Sequence, residues 1–292
     1  MNRTAPLLVI GAGFCWGLIG LFSRALIAAG LSSPQITLIR CFIIACSMIL
    51  FLLVRDRSLL RIRPRDLWMF LGTGLCSIAF FNICYFITIE LTSLAVASML
   101  LYTAPCIVTV LSALLFHERF TSRKLLALVL SLAGCALVVG LLDGGSLALS
   151  PKGIFIGLGA GFGYALYSIF GTVALRTYHT FTVTTWTFLI AAVGLLPFAH
   201  GGEILSAMAA QPPLLLPALA LGLISSLAPF LLYTKALESM ETGRASILTF
   251  VEPMVCTLSG ILVFHERLTP TGALGIALIF CSVLLLGTAQ PE

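Results

Sequence analysis

Residues 85–120 of the sequence read YFITIELTSLAVASMLLYTAPCIVTVLSALLFHERF, and residues 233–268 read YTKALESMETGRASILTFVEPMVCTLSGILVFHERL. The two stretches align without a gap at an offset of 148, and 12 of their 36 positions are identical. Apolar composition alone aligns Leu with Leu, but it does not bring Pro105 onto Pro253 or superimpose two copies of Phe-His-Glu-Arg. The chain therefore contains an internal duplication, and every other feature is interpreted with it.

The same offset holds well outside these two stretches. The tetrapeptide GAGF at 11–14 falls on an identical tetrapeptide at 159–162, and Gly74 falls on Gly222. We therefore predict two repeats, residues 1–148 and residues 149–292.

The composition is typical of an integral membrane protein. The chain is 60% hydrophobic and 9% charged, whereas a soluble domain is about 25% charged. Apolar runs of about 18–22 residues are long enough to cross the hydrocarbon core of a bilayer as helices. We predict an all-α integral membrane protein whose ten transmembrane helices form two inverted five-helix repeats. The predicted spans are 6–28, 35–54, 67–88, 92–116, 123–141, 153–174, 182–199, 214–236, 243–264 and 270–288.

No pattern in the sequence indicates a cofactor, a metal ion or nucleic acid. The nine cysteines lie in apolar runs, form no CxxC pair and have no histidine at metal-ligand spacing, so we interpret them as packing residues. The net charge of +5 includes an arginine cluster between two spans, where membrane topology explains it. The predicted partners are a small-molecule substrate and membrane lipid, with no cofactor, no metal and no nucleic acid.

The distribution of lysine and arginine predicts the orientation of the chain. Of the 16 such residues, 12 lie on one alternate set of connections, three on the other, and Arg40 lies inside a span. Because positive residues accumulate on the cytoplasmic side, we predict that the N- and C-termini are both cytoplasmic. Each repeat has five spans, an odd number, so the second copy enters the membrane from the opposite side. Inverted repeats are typical of secondary transporters, whose substrate site lies near mid-membrane at the repeat interface.

The duplicated prolines, Pro105 and Pro253, lie inside the fourth and ninth spans. Proline lacks an N–H and clashes with the carbonyl four residues before it, so it should bend each helix and free the Leu101 and Thr249 carbonyls. Irregular backbone at this depth is tolerated where protein or a wet cavity satisfies it. Two interpretations stay open: the prolines shape two bent helices, or they are hinges that line a transport route.

Polar and aromatic residues repeat along one face of the same two spans. Ser98, Tyr102 and Pro105 follow helical spacing, and the copy presents Ser246, Phe250 and Pro253. Such a stripe indicates a partly hydrated inward face or, alternatively, contacts between helices. The predicted substrate-cavity residues are Trp16, Asn82, Tyr85, Ser98, Tyr102, Tyr164, Tyr167, Tyr233, Ser246, Phe250 and Glu252.

The charged residues near or within the spans have different predicted roles. Glu252 is the only acid deep in a span, where a charge is costly, so it is a candidate to bind a substrate ammonium, carry a coupling proton or bond to freed backbone. Arg40 is predicted to extend toward the outer face. Lys235 and Arg244 are predicted to be interfacial anchors, and each His-Glu-Arg triplet is predicted to make an ion pair or a helix-end contact.

Taken together, the chain resembles the EamA-type drug/metabolite transporter superfamily. The resemblance lies in the two five-span halves, the GAGFCWG opening, the proline followed by Phe-His-Glu-Arg that ends spans four and nine, and the Glu252-Pro253 pair. It implies a carrier of the bacterial inner membrane that exports amino acids or other small metabolites through a cavity lined by spans one, three, four, six, eight and nine. Among its members, bacterial exporters of aromatic amino acids look most similar.

The predicted function is export of amino acids with aromatic or large apolar side chains by alternating access. An exporter of another substrate class, such as a drug or nucleoside, is the first alternative. An intramembrane enzyme is the second, and it needs a nucleophile, a base or a metal cluster at depth. Because all four histidines lie in or beside connections, we predict no catalytic residue and no enzyme activity. Whether a proton is coupled to transport stays open.

Overall fold

The computed structural model describes residues 4–141, 150–265 and 269–287, which are helical with no strand. Nine helical segments in these ranges are apolar enough and, at 18 residues or more, long enough to cross a membrane. A further helix of 17 residues, Ser122–Val138, supplies span five and lies at the lower end of the usual range of about 17–25 residues. The predicted all-α membrane fold of two inverted five-helix repeats is confirmed. In order, the spans are Ala5–Ala28, Ser33–Arg55, Pro64–Leu91, Leu94–Phe116, Ser122–Val138, Pro151–Leu175, Thr180–Phe198, Pro212–Leu237, Thr242–Phe264 and Pro270–Gly287.

Local sequence accounts for where several spans begin and end. Span six starts at Pro151, whose missing N–H is not needed in the first turn, and the Ser150 hydroxyl accepts the Gly153 N–H at 3.3 Å. Spans four and nine end at His117 and His265, which adopt left-handed backbone with φ of 57° and 55°. A left-handed residue is a common way to end a helix. The Phe-His pair that begins this motif is therefore a helix terminus in both repeats.

The two repeats interlock rather than lying side by side. Span one packs on spans eight and nine, and its copy, span six, packs on spans three and four. The remaining pairs, two with seven, four with nine and five with ten, join equivalent helices of the two repeats. Two bundles therefore stand opposite each other, one of spans one, eight and nine and the other of spans three, four and six, and each mixes both repeats.

Small residues bring the fifth and tenth spans into backbone contact. A Cβ on Gly134 would lie 2.7 Å from the Gly275 carbonyl oxygen, and a Cβ on Gly275 would lie 2.6 Å from the Gly134 oxygen. The Ser131 hydroxyl donates to the Ser282 Oγ at 2.7 Å, and Ser282 donates to the Ala127 carbonyl at 2.7 Å. Close backbone approach and hydroxyl hydrogen bonds are how helices associate when lipid surrounds them.

The connections gather at two opposite ends of the helices. At one end, Tyr178 accepts the Arg63 N–H at 3.0 Å and donates to Asp66 at 2.7 Å, which joins the second and sixth connections. At the other end, the Gln35 amide donates to Glu203 at 2.7 Å, which joins the start of span two to the seventh connection. The first end, here called the basic face, contains the connections 55–66, 117–121, 176–179 and 238–241, which hold seven of the 16 arginines and lysines.

Candidate functional site

Spans four and nine are broken, not merely bent, at the same place in each repeat. In span four the helix Leu94–Leu101 stops, Tyr102 and Thr103 form a turn, and Ala104–Phe116 begins. In span nine the corresponding helices are Thr242–Leu248 and Val251–Phe264. The irregularity predicted at the two prolines thus takes the form of a break, because each proline lies in the first turn of a new helix, where its missing N–H breaks no hydrogen bond.

The broken backbone satisfies itself locally. Thr249, whose carbonyl was expected to be free, accepts the Glu252 N–H at 2.9 Å, so that prediction is wrong. Its own hydroxyl donates to the Ser246 carbonyl at 2.7 Å. The equivalent turn of span four uses Thr103 in the same way, with a hydroxyl that donates to the Leu100 carbonyl at 2.6 Å. A threonine in each break replaces the helical hydrogen bonds that the turn gives up.

Equivalent glycines of spans one and six lie against the two breaks. A Cβ on Gly161 would lie 2.6 Å from the Thr103 hydroxyl and 2.7 Å from the Leu100 carbonyl oxygen. A Cβ on Gly13 would lie 3.1 Å from the Val251 Cβ. In both cases the glycine belongs to one repeat and the break to the other. Each GAGF tetrapeptide therefore packs against the broken helix of the other repeat.

The two breaks meet near the centre of the molecule. Tyr102 ends the first helix of span four, and its equivalent Phe250 precedes the second helix of span nine. Their ring centroids are 5.9 Å apart at an interplanar angle of 43°. Phe250 is fully buried, whereas Tyr102 is half-buried. This contact between equivalent positions joins the two bundles at the pseudo-symmetry axis.

A narrow cavity lies beside this contact, between the two bundles. Its walls come from spans one, three, four, six, eight and nine, the six spans that the family resemblance implied. It offers about 20 Å³ of space for water centres, room for about one or two water molecules. The lining residues are Trp16, Ile78, Ala104, Pro105, Val108, Tyr164, Tyr167, Ser168, Phe230, Tyr233, Ser246 and Thr249.

Aromatic rings form one wall of the cavity. The Phe230 ring lies 5.2 Å from the ring of Trp16 and 5.1 Å from the ring of Tyr167, both edge to face. The Tyr167 hydroxyl is paired with Thr234 at 2.6 Å, and the Tyr233 hydroxyl with Ser168 at 2.8 Å. With their hydroxyls bonded to neighbouring helices, these tyrosines offer mainly ring surface, which suits an apolar or aromatic group.

Half of the residues in the lining were not among the predicted set: Ile78, Ala104, Val108, Ser168, Phe230 and Thr249. For Phe230 a signal existed, since it is the equivalent of Asn82 at the repeat offset. Asn82 itself donates to the Ile78 carbonyl at 2.7 Å and accepts from Thr37 at 3.3 Å. Its amide is thus bonded to spans two and three instead of lining this cavity.

Tyr85, Ser98 and Glu252 also lie outside the cavity lining. The hydroxyls of Tyr85 and Ser98 are 3.1 Å apart and join spans three and four. Glu252 is half-buried at the second position of the helix after the span-nine break. Among the described residues, none donates a hydrogen bond to its carboxylate. Glu252 therefore stays a predicted candidate to bind a substrate or a proton.

Arg40 does not extend toward the outer face, so that prediction is wrong. Its Nε donates to the Ser226 hydroxyl at 2.8 Å, and Ser226 in turn donates to the Leu221 carbonyl at 2.8 Å. Ser226 belongs to a π-helical stretch of span eight, Leu223–Leu227, and such wide turns often occur at functional sites. Span eight thus holds the guanidinium toward the interior of the protein.

The other two basic residues divide between the predicted and an unexpected role. Lys235 is exposed and pairs with Glu238 at 2.5 Å, as an interfacial group would. Burial raises the pKa of the Glu238 carboxyl, but hydrogen bonds from Lys235 and Thr180 outweigh it and lower that pKa below its ordinary value. Arg244 is buried, and its Nη2 donates to the Leu286 carbonyl at 2.5 Å, so the prediction of an interfacial anchor is wrong for Arg244.

The first His-Glu-Arg triplet joins the two repeats at the basic face. The Glu118 carboxylate accepts the N–H groups of Thr242 and Gly243 at 2.6 and 3.0 Å, which caps the N-terminus of span nine. Lys124 is buried and lies 2.9 Å from Glu241 and 4.0 Å from Glu118. A carboxylate at a helix N-terminus is favourable because it meets both unpaired N–H groups and the helix dipole. The predicted helix-end contact is confirmed here, while 266–267 of the second triplet lie outside the described residues.

Comparison with known proteins assigns the family. The model of the EamA-like transporter family matches residues 3–140 and again residues 151–288, once for each repeat. The chain belongs to the EamA-like transporter family. Members of this family are membrane proteins that move small substrates, and among the described residues of this transporter no cluster of three His, Cys, Asp or Glu side chains is placed to hold a metal.

Relatives extend over nearly the whole EamA-like transporter. A protein of Salmonella typhimurium named as an uncharacterized inner membrane transporter, YicL, is 27% identical over 98% of this chain and 95% of its own. An uncharacterized transporter of Archaeoglobus fulgidus is 32% identical over 69% of this chain and 70% of its own. A solved crystal structure with 22% identity has a TM-score of 0.80 and covers 98% of this chain and 96% of that one, which shows a shared fold.

Proposed function

We propose that this EamA-like transporter exports amino acids with aromatic or large apolar side chains by alternating access. The observation that supports this proposal is the ring-lined cavity between the two bundles, at the point where two broken helices meet. Edge-to-face rings favour an aromatic or bulky apolar group by offering both contact area and ring electrostatics. The names of two similar proteins describe them as transporters and give no substrate.

The cavity is too small to admit a substrate unless the helices around it move. A space of about 20 Å³ is far below the roughly 300–1,000 Å³ of pockets that hold small ligands. A substrate therefore enters only when the bundle of spans one, eight and nine moves away from the bundle of spans three, four and six. The breaks beside Pro105 and Pro253 are the proposed hinges, since a turn bends more easily than a helix. Each moving bundle mixes helices of repeats 1–148 and 149–292.

The proposed location is the bacterial inner membrane, with both termini in the cytoplasm. In this orientation the basic face is cytoplasmic, and the contact of Glu118 with the N-terminus of span nine closes the cavity on that side. Opening toward the cytoplasm then breaks this contact, while opening toward the outside leaves it intact. The proposed substrate site consists of the cavity together with Asn82, Tyr85, Ser98, Tyr102, Phe250 and Glu252 around it.

The test is counterflow in proteoliposomes that contain the purified transporter. Vesicles loaded with unlabelled phenylalanine are expected to accumulate labelled phenylalanine faster than protein-free vesicles, with a pH gradient and without one as separate arms. The variant Trp16→Ala is expected to lower this rate about tenfold, the effect of losing about 1.4 kcal/mol of binding. Phe155→Ala is the matched control, because the Phe155 ring is 79% exposed on the outer surface of span six.

Labelled uridine and a cationic dye, tested in parallel, separate the substrate classes. Counterflow of either one without phenylalanine would reject the amino acid proposal and keep the carrier. Absence of counterflow for all three solutes would contradict the proposed substrates altogether.

A further inference from the structure

Arg40 offers most of its guanidinium to a ligand. A guanidinium has five N–H groups, and in this structure Nε alone donates, to Ser226 at 2.8 Å. Among the described residues, no acceptor binds the two terminal nitrogens of Arg40. Arg40 is the eighth residue of span two, about 12 Å along the helix from its start. It therefore lies inside the span and away from the water at the membrane surface. A planar fork of unpaired N–H groups at this depth is the geometry that binds a carboxylate with two hydrogen bonds.

Glu252 supplies the opposite charge from the other repeat. Its carboxylate lacks a hydrogen-bond donor among the described residues, and it lies within electrostatic reach of Arg40 without forming an ion pair with it. Tyr164, a residue of the cavity wall, is within electrostatic reach of both. Charged side chains inside a membrane protein normally pair with each other. Here, among the described residues, the two charged groups form no ion pair with each other, so each can bind a group of a ligand.

The pair occurs once, although the protein is duplicated. The repeat equivalent of Arg40 is Phe188, and that of Glu252 is Ala104. The positive and the negative charge are therefore not mirrored across the pseudo-symmetry axis. A ligand that bridges them has a single orientation, with its remaining group directed toward the rings of the cavity wall, such as Trp16.

We propose that Arg40 and Glu252 bind the two ends of a zwitterion, with the carboxylate of the substrate on the Arg40 guanidinium and its ammonium on the Glu252 carboxylate. This proposal rests on the proposed transport function and specifies its substrate as an α-amino acid with both charged groups free. Amides, esters and decarboxylated analogues lack one end and bind more weakly, because one buried charge of the protein is then left without a partner.

The experiment measures how well analogues compete with labelled phenylalanine in the proteoliposomes. The analogues are phenylalaninamide, which lacks the carboxylate, and 3-phenylpropionate, which lacks the ammonium. For the wild type, each analogue is expected to compete at least about tenfold more weakly than phenylalanine. Arg40→Gln is expected to weaken phenylalanine about tenfold while leaving competition by phenylalaninamide unchanged. Glu252→Gln is expected to weaken phenylalanine while leaving 3-phenylpropionate unchanged.

For each variant the unaffected analogue is also the control for folding, because a misfolded protein loses both compounds. Competition by that analogue is followed as inhibition of the residual counterflow, or as a thermal shift of the purified variant where counterflow is too low. Ser226→Ala is the matched control for Arg40, since it removes the guanidinium's anchor and keeps its charge; it is expected to weaken phenylalanine less than Arg40→Gln does.

Two outcomes overturn the proposal in distinguishable ways. If the wild type counterflows phenylalanine, and Arg40→Gln unfolds at the wild-type temperature without ligand but weakens phenylalanine and its amide equally, the zwitterion site is wrong and the transport function stands. If the wild type shows no counterflow of phenylalanine and no thermal shift with it, the proposed function fails together with the site.

Discussion

Spans four and nine are copies of each other, and they differ in the charge that follows the break. Both break at equivalent residues, Tyr102 and Phe250, and both place a proline in the first turn of the second helix. Only span nine has an acid directly after the break, Glu252, where span four has Ala104. The duplication therefore supplies a common scaffold, and only one copy carries the charge.

The starts of these two spans differ as well. The N-terminus of span four is capped by its own residue, since the Ser93 hydroxyl accepts the Val96 N–H at 3.2 Å. The N-terminus of span nine is capped by Glu118 of the other repeat. A local cap stabilises its own helix, and movement between the bundles leaves it unchanged. A cap from another repeat would break if the bundles separated at that face, so the cap of span nine, unlike the cap of span four, depends on the movement proposed above.

The largest expected effect comes from filling the glycine contact at the break of span four. Gly161→Ala is expected to lower the free energy of unfolding by about 2–3 kcal/mol, since its Cβ would meet the Leu100 backbone oxygen at 2.7 Å. The equivalent Gly13→Ala, at 3.1 Å from a side chain, is expected to cost about 1 kcal/mol. Unfolding in detergent measures both, with Gly159→Ala, whose nearest contact is 3.8 Å, as the neutral control. Equal losses for Gly161→Ala and Gly13→Ala would show that the two breaks are equally tight.

The second prediction tests whether the acid belongs to span nine alone. Glu252→Gln is expected to lower phenylalanine counterflow about tenfold, or about 1.4 kcal/mol, because the variant keeps the shape and loses the charge. Moving the acid to the equivalent position in the double variant Ala104→Glu, Glu252→Ala is not expected to restore transport, since Ala104 is fully buried and would enclose the charge. Restored counterflow would contradict the view that the charge has to face Arg40 from span nine.

The third prediction concerns the two kinds of cap. Glu118→Gln is expected to favour opening at the basic face by about 1 kcal/mol, or about fivefold, because it weakens a cap that joins the two repeats. In a cysteine-free background with Ser246→Cys in the cavity wall, a thiol reagent added from the basic face should then react about fivefold faster. Ser93→Ala is the matched control, since it removes a cap that lies within one repeat and should lower stability without changing this rate. An equal acceleration by Ser93→Ala would mean that general loosening, and not the contact between repeats, sets access.

The smallest expected effect is that of the central aromatic contact. Tyr102→Ala removes the ring that meets Phe250 at 5.9 Å and is expected to lower efflux about threefold to fivefold, consistent with a pair worth about 1 kcal/mol. Membrane abundance should stay unchanged, as the Tyr102 ring is only half-buried. Immunoblots of membranes and efflux of labelled phenylalanine from the same cells measure the two quantities. Normal efflux would remove Tyr102 from the substrate route.

The sequence was sufficient to predict features that depend on order along the chain. Long apolar runs determine which segments cross a membrane, because burying peptide groups in lipid is affordable only in a helix. The constant offset of 148 places equivalent residues in equivalent helices, as with Trp16 of span one and Tyr164 of span six, which both line the cavity. The odd number of spans in each repeat then requires the inversion.

The tertiary structure decided which side chains contact each other. Arg40 looked like an interfacial residue because depth along a helix does not tell whether a side chain points to lipid or to Ser226 of span eight. Asn82 looked like a free polar group because its partners, the Ile78 carbonyl and Thr37, depend on how spans two and three pack. Hydropathy and repetition follow from local chemistry, so the sequence alone predicted the ten helices and which helix of one repeat corresponds to which helix of the other. The contact of Glu118 with the start of span nine joins residues more than a hundred positions apart. Arg40 and Glu252 are also more than a hundred positions apart. Only the packing of the helices could bring these residues together.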